Sequence, residues 1–493
     1  MTNTLHYGDC LNILRELPDE CADLIYLDPP FNSNRDYNAF FTSAKGQGST
    51  AQITAFEDTW HWGEQAEEEF GVLLRNPNAG LLGETLMPAL RSFLGENDMM
   101  AYLTMMASRL VEMRRVLKDT GSLYLHCDPT ASHYLKIVLD GVFGKENFRN
   151  ELYWYYYNKM HDYRKKVFPK ATDTILFYVK NINSSFCFNQ IKEKRETPVK
   201  QLVRKKVNGK IVNARDENGK LLYQIKEDKG VDNVFRIPML QHASPERLGY
   251  PTQKPVALLE RIIRASSNPG DVVLDPFCGC GTAVHAAQKL GRQWIGIDIS
   301  HLAVSLIKKR MTEAFPDCEF HVSGTPEDVE SARFLAESNG LEGRYQFQYW
   351  ALSLVSAIPA NDKKKGADSG SDGFIWAYNA PDAKKPYKIN ISVKSGKIPA
   401  NHIRELGGML GKGDVEICLL ITLEEPSKKM KADALSYGKY EYPNGKEFPR
   451  IQILTIEELF DGKKPDYLDY GTGQAMPKKA KKEVKKQTQF SLT

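Results

Sequence analysis

The sequence predicts an α/β fold built on a doubly wound, mostly parallel sheet, with a β-rich insertion and a second, smaller α/β domain. Short apolar runs alternate with segments whose apolar residues recur at helical spacing. A strand-helix-strand unit spans residues 272–297, and Gly291 marks the end of its helix. With 493 residues the chain is long enough for two or three domains, each with its own core.

The first half of the chain supplies the strand that we expect to position a site. Residues 22–27 are short and apolar, and Pro29 and Pro30 prevent the strand from continuing. Residues 32–97 predict an extended loop or a small helical excursion. The alternation then continues with a helix at 99–117, a strand at 122–126 and a helix at 130–142.

The second half resumes the same alternation after a basic stretch. Apolar spacing predicts a helix that begins near Val256 and ends before Asn268, a strand at 272–274, a helix at 282–290 and a strand at 294–297. Past residue 335 the composition changes, which predicts a separate domain. Its expected elements are a helix at 341–358 and strands at 374–378, 387–393 and 417–423.

Charge is unevenly distributed behind a formal net charge of +4. Residues 1–157 hold 12 basic against 22 acidic side chains, whereas residues 158–230 hold 18 basic against 8 acidic ones. Such asymmetry is typical of a segment that faces a polyanion. A solvated charged face is the alternative interpretation.

Composition excludes several classes of protein. The sequence has no apolar run of the length that a membrane span needs and no signal-peptide pattern at Met1–His6, so we expect a cytoplasmic protein without a membrane partner. The eight cysteines are scattered and predict reduced thiols. Cys278 and Cys280 flank Gly279, a spacing that favours a glycine turn over a metal site.

A glycine-rich turn follows the strand at 272–274. Gly279 and Gly281 permit a tight turn, and Asp298 ends the next strand at the distance where an acid accepts hydrogen bonds from ribose hydroxyls. Val284 occupies the third glycine position of a dinucleotide fingerprint, which argues against a pyrophosphate ligand. S-adenosylmethionine, which has adenosine but no phosphates, fits better. A purely structural turn is the remaining alternative.

Asp28, Pro29, Pro30 and Phe31 follow the strand at 22–27 and suit an exocyclic amine on an aromatic base. The Asp28 carboxylate and the Pro29 carbonyl can accept hydrogen bonds from the amine, while Phe31 stacks on the ring and Tyr37 forms a second wall. Neither a metal nor a covalent intermediate is needed. Such a base must be flipped out of a duplex. The alternative is a rigid turn after a strand.

In this order, the motifs resemble the β-ordered branch of the amino-group DNA methyltransferases, which act on adenine N6 or cytosine N4. Gly8-Asp9-Cys10 resembles the family's opening motif, residues 28–31 its catalytic motif, and residues 252–255 with 275–282 its cofactor-binding pair. The resemblance covers residues 4–330 and implies an S-adenosylmethionine-dependent methyltransferase fold. The cofactor-binding residues that it implies, with the glycine turn, are Asp9, Lys254, Asp275, Phe277, Gly279, Gly281, Thr282 and Asp298.

The resemblance also implies a domain organisation. Residues 1–157 form the catalytic half, 158–245 a target recognition insertion, 246–335 the cofactor-binding half, 341–462 a nuclease-like domain, and 463–493 a basic tail that we expect to be disordered. Double-stranded DNA is the expected partner, and a homodimer is a further expectation. The residues expected to contact DNA phosphates are Arg164, Lys165, Lys166, Arg204, Lys205 and Lys206.

The C-terminal region is similar to the Mrr-like branch of the PD-(D/E)xK nucleases. Asp372 and Lys394 match that pattern, and they imply a Mg²⁺ site in this domain. Ser392 stands where the pattern has a carboxylate or amide, and a hydroxyl is a poorer Mg²⁺ ligand. The domain is therefore expected to cleave DNA, to bind it only, or to carry Asp372 and Lys394 without either role.

The leading hypothesis is a site-specific DNA methyltransferase of a restriction-modification system, which modifies adenine N6. Asp rather than Ser at position 28 favours adenine in this family, and cytosine N4 is the first alternative. Methylation of RNA or of a protein amide nitrogen is the second, and the long basic insertion argues against it. A DNA-binding protein with vestigial pockets is the third.

Overall fold

The structure is a computed structural model that describes residues 3–30, 37–42, 48–56, 61–160, 166–207, 209–241, 243–248, 250, 252–338, 340–360, 371–383, 385–399, 401–412 and 415–470. Its strands are β1 (Thr4–Tyr7), β2 (Ala22–Leu27), β3 (Tyr37–Thr42), β4 (Gly48–Phe56), β5 (Leu117–Cys127), β6 (Phe148–Tyr155), β7 (Thr172–Val179), β8 (Lys192–Leu202), β9 (Arg204–Val207), β10 (Lys210–Asn213), β11 (Tyr223–Gly230), β12 (Val234–Arg236), β13 (Val272–Asp275), β14 (Gln293–Asp298), β15 (His321–Ser323), β16 (Ile358–Pro359), β17 (Gly373–Ala377), β18 (Tyr387–Lys394), β19 (Val415–Thr422), β20 (Lys439–Glu441), β21 (Glu447–Pro449) and β22 (Ile451–Thr455).

The helices alternate with these strands. They are α1 (Cys10–Glu16), α2 (Glu64–Arg75), α3 (Met87–Leu94), α4 (Asp98–Val116), α5 (Ser132–Phe143), α6 (Val256–Ser266), α7 (Thr282–Lys289), α8 (His301–Ala314), α9 (Val329–Glu337), α10 (Leu341–Leu354), α11 (His402–Gly407), α12 (Lys428–Leu435) and α13 (Ile456–Phe460). Short 3₁₀ turns lie at Pro77–Ala79 and Lys145–Asn147, and a π-helical turn lies at Leu82–Leu86.

A nine-stranded sheet forms the centre of the larger domain, in the order β12-β6-β7-β5-β2-β13-β14-β1-β15. From β5 to β15 all neighbouring strands pair in parallel, while β7 is antiparallel to both β5 and β6. Strands β2 and β13 are neighbours, with Leu24 opposite Val273 and Ile25 opposite Leu274. Their carboxyl ends therefore meet at one edge of the sheet.

Both faces of this sheet are covered by helices. On β2, Ile25 and Leu27 belong to a core formed with α1 to α5, whereas Leu24 and Tyr26 belong to a second core formed with α6, α7 and α8. Successive side chains of a strand point to opposite faces, so a continuous apolar run buries both sides. The predicted doubly wound, mostly parallel fold is confirmed.

The C-terminal domain is a second, smaller α/β unit. Its sheet has the order β16-β17-β18-β19-β22, antiparallel at β16-β17-β18 and parallel from β18 to β22. One face packs with α9, α10 and α13, and the other with α11 and α12. The predicted helix and the three predicted strands correspond to α10, β17, β18 and β19.

Helix α10 also links the two domains. It packs against α8, and the Tyr7 hydroxyl donates a hydrogen bond to Gln346 Oε1 on α10 at 2.8 Å. The Tyr7 ring stacks on His301 at 3.6 Å between ring centroids. The smaller domain therefore contacts the end of β1, immediately before Gly8.

Two regions differ from the sequence predictions in detail. Residues 32–97, expected as a loop or helical excursion, contain the β3–β4 hairpin and helices α2 and α3. Within the predicted insertion, β7 and β12 join the central sheet, because the apolar end of β7 is buried against β5 and β6. Strands β8 to β11 form separate two-stranded sheets. The boundary at residue 158 stays a prediction.

Among the helices of the described residues, none is both long enough and apolar enough to cross a bilayer.

The turn between β13 and α7 depends on its glycines. Gly279 and Gly281 have φ of +50° and +73°, which side-chain-bearing residues rarely adopt. A Cβ on Gly281 would lie 2.8 Å from Ile307 Cγ1 of α8. The turn is therefore constrained by both conformation and packing.

Replacement of Gly281 by Ala tests this constraint. We expect Gly281→Ala to lower the free energy of unfolding by about 2–4 kcal/mol, because left-handed strain adds to the clash with Ile307. Gly291→Ala is the matched control, since Gly291 has the same φ of +73° but no atom within 4 Å of its added Cβ. It should cost only about 1 kcal/mol. Urea unfolding measures both, and equal losses would contradict the packing argument.

Candidate active site

A cavity of about 690 Å³ opens at the carboxyl ends of β2 and β13. Asp28, Pro29 and Pro30 line it from the loop after β2, and residues 275–280 line it from the turn after β13. These two stretches are far apart in the chain, and the parallel pairing of β2 with β13 brings them together. The expectation that both motifs face one space agrees with this geometry.

Asp28 lies in the wall of the cavity between two basic side chains. Its Oδ2 accepts a hydrogen bond from Lys254 Nζ, which belongs to the loop before α6 and is itself buried. Its Oδ1 lies 3.9 Å from His126 Nδ1. The hydrogen bond from Lys254 therefore orients one carboxylate oxygen, and the other faces His126.

Asp298 holds the glycine turn in place. Its Oδ2 accepts a hydrogen bond from the Gly279 N–H at 2.8 Å, and its Oδ1 accepts one from the Ser300 N–H at 2.9 Å. Burial raises the pKa of Asp298 to about 6. Each carboxylate oxygen has two lone-pair sites, so acceptor capacity remains for hydroxyl groups of a ligand.

Asp275 lies beneath the same turn and accepts a hydrogen bond from the Phe277 N–H at 3.1 Å. Burial, followed by the negative charges of Asp28 and Asp298, raises its pKa well above the usual range. The described lining of the cavity contains six acidic and three basic side chains. This balance favours a ligand that carries positive charge, such as a sulfonium.

Asp9 enters the cavity wall from the start of α1, where its carboxylate caps the helix by accepting from the Leu11 N–H at 2.9 Å. Arg109 of α4 donates to both oxygens of Asp9, at 2.9 and 3.0 Å, and to Glu69 Oε1 at 3.0 Å. Asp9 is therefore held in position by a buried arginine fork.

The remaining cofactor candidates divide into two groups. Phe277, Gly279 and Thr282 line the cavity, and the buried Thr282 hydroxyl also lies 3.3 Å from Arg310 Nη1. Gly281 is not among the lining residues, because the space beside its Cα is filled by Ile307. It shapes the turn instead.

Several groups at the site were missed by the sequence prediction. Tyr26 and Tyr250 line the cavity, and a Cβ on Gly279 would lie 3.3 Å from the Tyr250 ring. His126 lies behind Asp28, and Asp173 faces His126. His126 lies near the carboxyl end of β5, and polar residues at such strand ends often face a ligand site, so its position in the sequence could have identified it as a site residue. Asp173 lies on the antiparallel β7, so only tertiary structure brings it here.

Some predicted residues cannot be placed. Phe31, Arg164, Lys165 and the tail from residue 471 lie outside the described residues, and Tyr37 is described only as the first residue of β3. Lys166 is exposed. Arg204, Lys205 and Lys206 are exposed on the β9–β10 hairpin, with Arg204 opposite Asn213.

The nuclease-like candidates lie together in the smaller domain, with a network of internal hydrogen bonds. Asp372 Oδ2 accepts from Ser392 Oγ at 3.0 Å and from the Val393 N–H at 2.7 Å. Ser392 Oγ also lies 3.0 Å from His402 Nε2. Across the described ranges, no group of three His, Cys, Asp or Glu side chains could hold a metal ion. These residues do not fit the expected Mg²⁺ site, because the second carboxylate ligand is a buried hydroxyl.

The sheet, the glycine turn and the acid after the neighbouring strand define a class of α/β proteins that bind an adenosine-containing ligand at their strand ends. Comparison with known proteins narrows the class. The family model described as DNA methylase, of the N6/N4 type, matches residues 22–309. The chain belongs to this DNA methylase family, and that prediction is confirmed. Residues 310–493 lie beyond the matched range.

The chain is similar to individual methyltransferases to different extents. The chain is 30% identical over 43% of its length to the type II methyltransferase M.EcaI of Enterobacter cloacae. It spans 57% of that relative's length. It is 25% identical to the DNA adenine methyltransferase YhdJ of Escherichia coli, over 63% of this chain and 83% of that one. A solved cytosine-N4-specific PvuII DNA methyltransferase covers 65% of this chain and 95% of its own at 15% identity, with a TM-score of 0.37.

The raised pKa of Asp298 has a consequence for stability. Because the pKa of Asp298 is higher in the folded chain than in the unfolded chain, the folded chain binds the proton more tightly. The contribution of Asp298 to the free energy of unfolding is therefore present below about pH 4 and is lost as the pH rises past about 6. The stability of the wild type relative to Asp298→Asn should therefore fall by on the order of 2–3 kcal/mol between pH 4 and pH 7. Urea titrations of the ligand-free proteins measure it, and a difference that is independent of pH would refute it.

Proposed function

We propose that this chain transfers a methyl group from S-adenosylmethionine to the exocyclic amino group of a flipped base in double-stranded DNA, with adenine N6 as the target. The observation that carries the proposal is the shared cavity, which is lined by Asp28 from one strand end and by the Gly279 turn from the next. Two motifs of the same reaction thus face one ligand-sized space.

The residues around the turn fit the donor. Asp298 and Asp9 would hold its ribose and adenine, the glycine turn lets the ligand approach the backbone, and Asp28 adds negative charge to the wall. When bound, S-adenosylmethionine supplies an electrophilic methyl carbon. No metal is required for this transfer.

On the acceptor side, the chain orients the amine. The Asp28 carboxylate and the Pro29 carbonyl accept hydrogen bonds from the amino group, which draws its lone pair out of ring conjugation and directs it toward the donor. Lys254 keeps one Asp28 oxygen oriented, and the other faces His126. Phe31, as predicted, would stack on the base.

Adenine is favoured over cytosine by Asp at position 28 and by the likeness to a named adenine methyltransferase. Membership of a restriction-modification system is part of the same proposal, supported by the type II relative. The exposed basic hairpin favours DNA over a protein amide as substrate. A homodimer stays a proposal that sedimentation of the full chain would measure.

For the smaller domain, the Mrr-like resemblance leads us to propose DNA binding without Mg²⁺-dependent cleavage. Asp372 Oδ2 accepts hydrogen bonds from the Ser392 hydroxyl and from the Val393 N–H. These bonds reduce the capacity of the carboxylate to coordinate a metal ion. Nicking of supercoiled plasmid in the presence of Mg²⁺ would show this proposal to be wrong.

The chemistry is tested with labelled methyl donor and unmethylated genomic DNA, digested to nucleosides. We expect label in N6-methyladenosine; label in N4-methylcytidine would support the alternative base, and no label would refute the enzyme assignment. Asp28→Ala should reduce transfer by at least about 100-fold while donor binding is retained. Asp19→Ala, an exposed acid near the start of β2, is the control and should transfer at the wild-type rate.

DNA affinity tests the basic hairpin. Affinity falls as salt rises, and each lost phosphate contact reduces the steepness of log affinity against log salt by about 0.9. The triple variant Arg204→Ala, Lys205→Ala, Lys206→Ala should therefore reduce that steepness by up to about 2.7. Lys145→Ala with Lys308→Ala removes two exposed lysines of the larger domain that lie outside the hairpin and is the control. An unchanged slope in the triple variant would assign DNA contact to another surface.

A further inference from the structure

The connection between β6 and β7 lies at the same edge of the central sheet as Asp28. Strand β5 runs parallel to β2, so both strands end at this edge, and β7 begins there because it runs antiparallel to β5. Strand β6 ends there too, with Tyr155 opposite Thr172. Residues 156–160 and 166–171 therefore leave the sheet on the side of the active site.

Both ends of this connection are fixed to the fold. The Tyr156 N–H donates a hydrogen bond to the Ala171 carbonyl at 3.0 Å. The Asn158 side chain donates to the Met239 carbonyl and accepts from the Met239 N–H, both at 2.9 Å. The exposed side chains of the connection therefore stand on a defined base.

A short series of contacts joins this connection to the active site. Lys170 Nζ lies 2.8 Å from Asp173 Oδ1, and Asp173 Oδ2 lies 3.4 Å from His126 Nε2. His126 Nδ1 in turn lies 3.9 Å from Asp28 Oδ1. Two side chains thus separate Lys170 from Asp28, and a duplex whose base reaches Asp28 passes close to the connection.

The connection carries four exposed apolar side chains, which are called here the β6–β7 rim: Tyr157, Met160, Val167 and Phe168. Phe168 is fully exposed and Met160 is 94% exposed, and no other large apolar side chain in the described ranges is as exposed as these two. Single exposed apolar residues are ordinary on a protein surface, whereas several together mark a binding surface.

Basic side chains on the same connection indicate the chemistry of the partner. Lys166 and Lys170 are exposed beside the apolar residues of the rim. Duplex DNA offers both kinds of contact, with phosphates on its outside and apolar base faces within its stack. A second copy of the chain would instead bring like charges together at this surface. The charges therefore favour DNA.

Eversion of a base leaves a gap in the DNA stack. The bases on either side of the gap lose a stacking partner, and the everted base can return. An apolar side chain that enters the stack replaces the lost contacts and keeps the gap open. Phenylalanine suits this position, because its flat ring matches the base faces and it has no polar group to desolvate.

We propose that the β6–β7 rim docks on duplex DNA beside the everted base, and that Phe168 inserts into the gap that the base leaves. This inference rests on the methyl transfer proposed above and adds the surface that holds the duplex. Phe168 is a positioning residue, because it acts by keeping the target base outside the stack and contacts neither the donor nor the amine. Lys166 and Lys170 bind phosphates next to the gap.

Methyl transfer to native and to heat-denatured unmethylated genomic DNA tests the insertion. Phe168→Ala should transfer to native DNA at least about tenfold more slowly than the wild type, because a stacking contact is lost. In denatured DNA the base needs no eversion, so the same variant should transfer within about twofold of the wild type. Phe168→Leu keeps an apolar wedge and should recover most of the rate on native DNA.

Phe93→Ala is the matched control for these measurements. Phe93 is a strongly exposed phenylalanine of α3, in the same domain but outside the β6–β7 connection. Its replacement should leave transfer to both forms of DNA unchanged. Because Phe168 is fully exposed, its replacement is not expected to disturb folding.

A second readout does not depend on activity. Thiol labelling of Phe168→Cys by a maleimide, corrected for the wild-type cysteines, should slow at least about fivefold when unmethylated genomic DNA is added. Labelling of Phe93→Cys should not change. Without DNA, a tenfold higher protein concentration should leave the labelling rate of Phe168→Cys unchanged. Slower labelling there would assign the rim to a second copy of the chain and overturn the proposal.

Three further results would overturn the inference and leave the proposed function intact. They are wild-type transfer to native DNA by Phe168→Ala, equal losses by that variant on native and denatured DNA, and labelling of Phe168→Cys that DNA does not slow. A wild-type chain that transfers no methyl group overturns the proposed function itself, and the labelling experiment still decides whether the rim contacts DNA.

Discussion

The parallel pairing of β2 with β13 is the constraint on which the rest of the site depends. Register places Ile25 opposite Leu274, so the loops that follow the two strands leave the sheet side by side. Backbone hydrogen bonds and two buried faces hold this register, because a slip by one residue would turn each apolar face toward the other core. Asp28 and the glycine turn therefore line the same cavity.

Burial gives this site its electrostatic character. Asp275 and Asp298 lie close to Asp28 at one edge of the sheet, and burial raises the pKa of both Asp275 and Asp298. Concentrated acidity is costly unless backbone donors, arginine forks or a cationic ligand offset it. Gly279, Ser300 and Phe277 supply N–H donors, and Arg109 holds Asp9. A positively charged donor would complete the balance.

The smaller domain contacts the larger one close to this site. Gln346 of α10 accepts from the Tyr7 hydroxyl, and Tyr7 directly precedes Gly8 in the cavity wall. The hydrogen-bonded chain of Asp372, Ser392 and His402 lies within the smaller domain and uses its acidic group internally. The two domains thus differ in their carboxylates: those of the larger domain line a cavity, whereas Asp372 accepts hydrogen bonds from Ser392 and the backbone of its own domain.

Several elements and part of the cavity wall could be predicted from the sequence alone. Apolar periodicity and glycine positions are local properties, so β2, β13, α7 and β14 and the residues Asp28, Gly279 and Asp298 could all be predicted from them. Only the tertiary structure decided which strands are neighbours, and therefore that His126 and Asp173 lie behind Asp28. Asp173 belongs to a strand that runs antiparallel to β5, and no local pattern specifies that direction. Gly281 likewise has its role decided by Ile307, a partner from another helix.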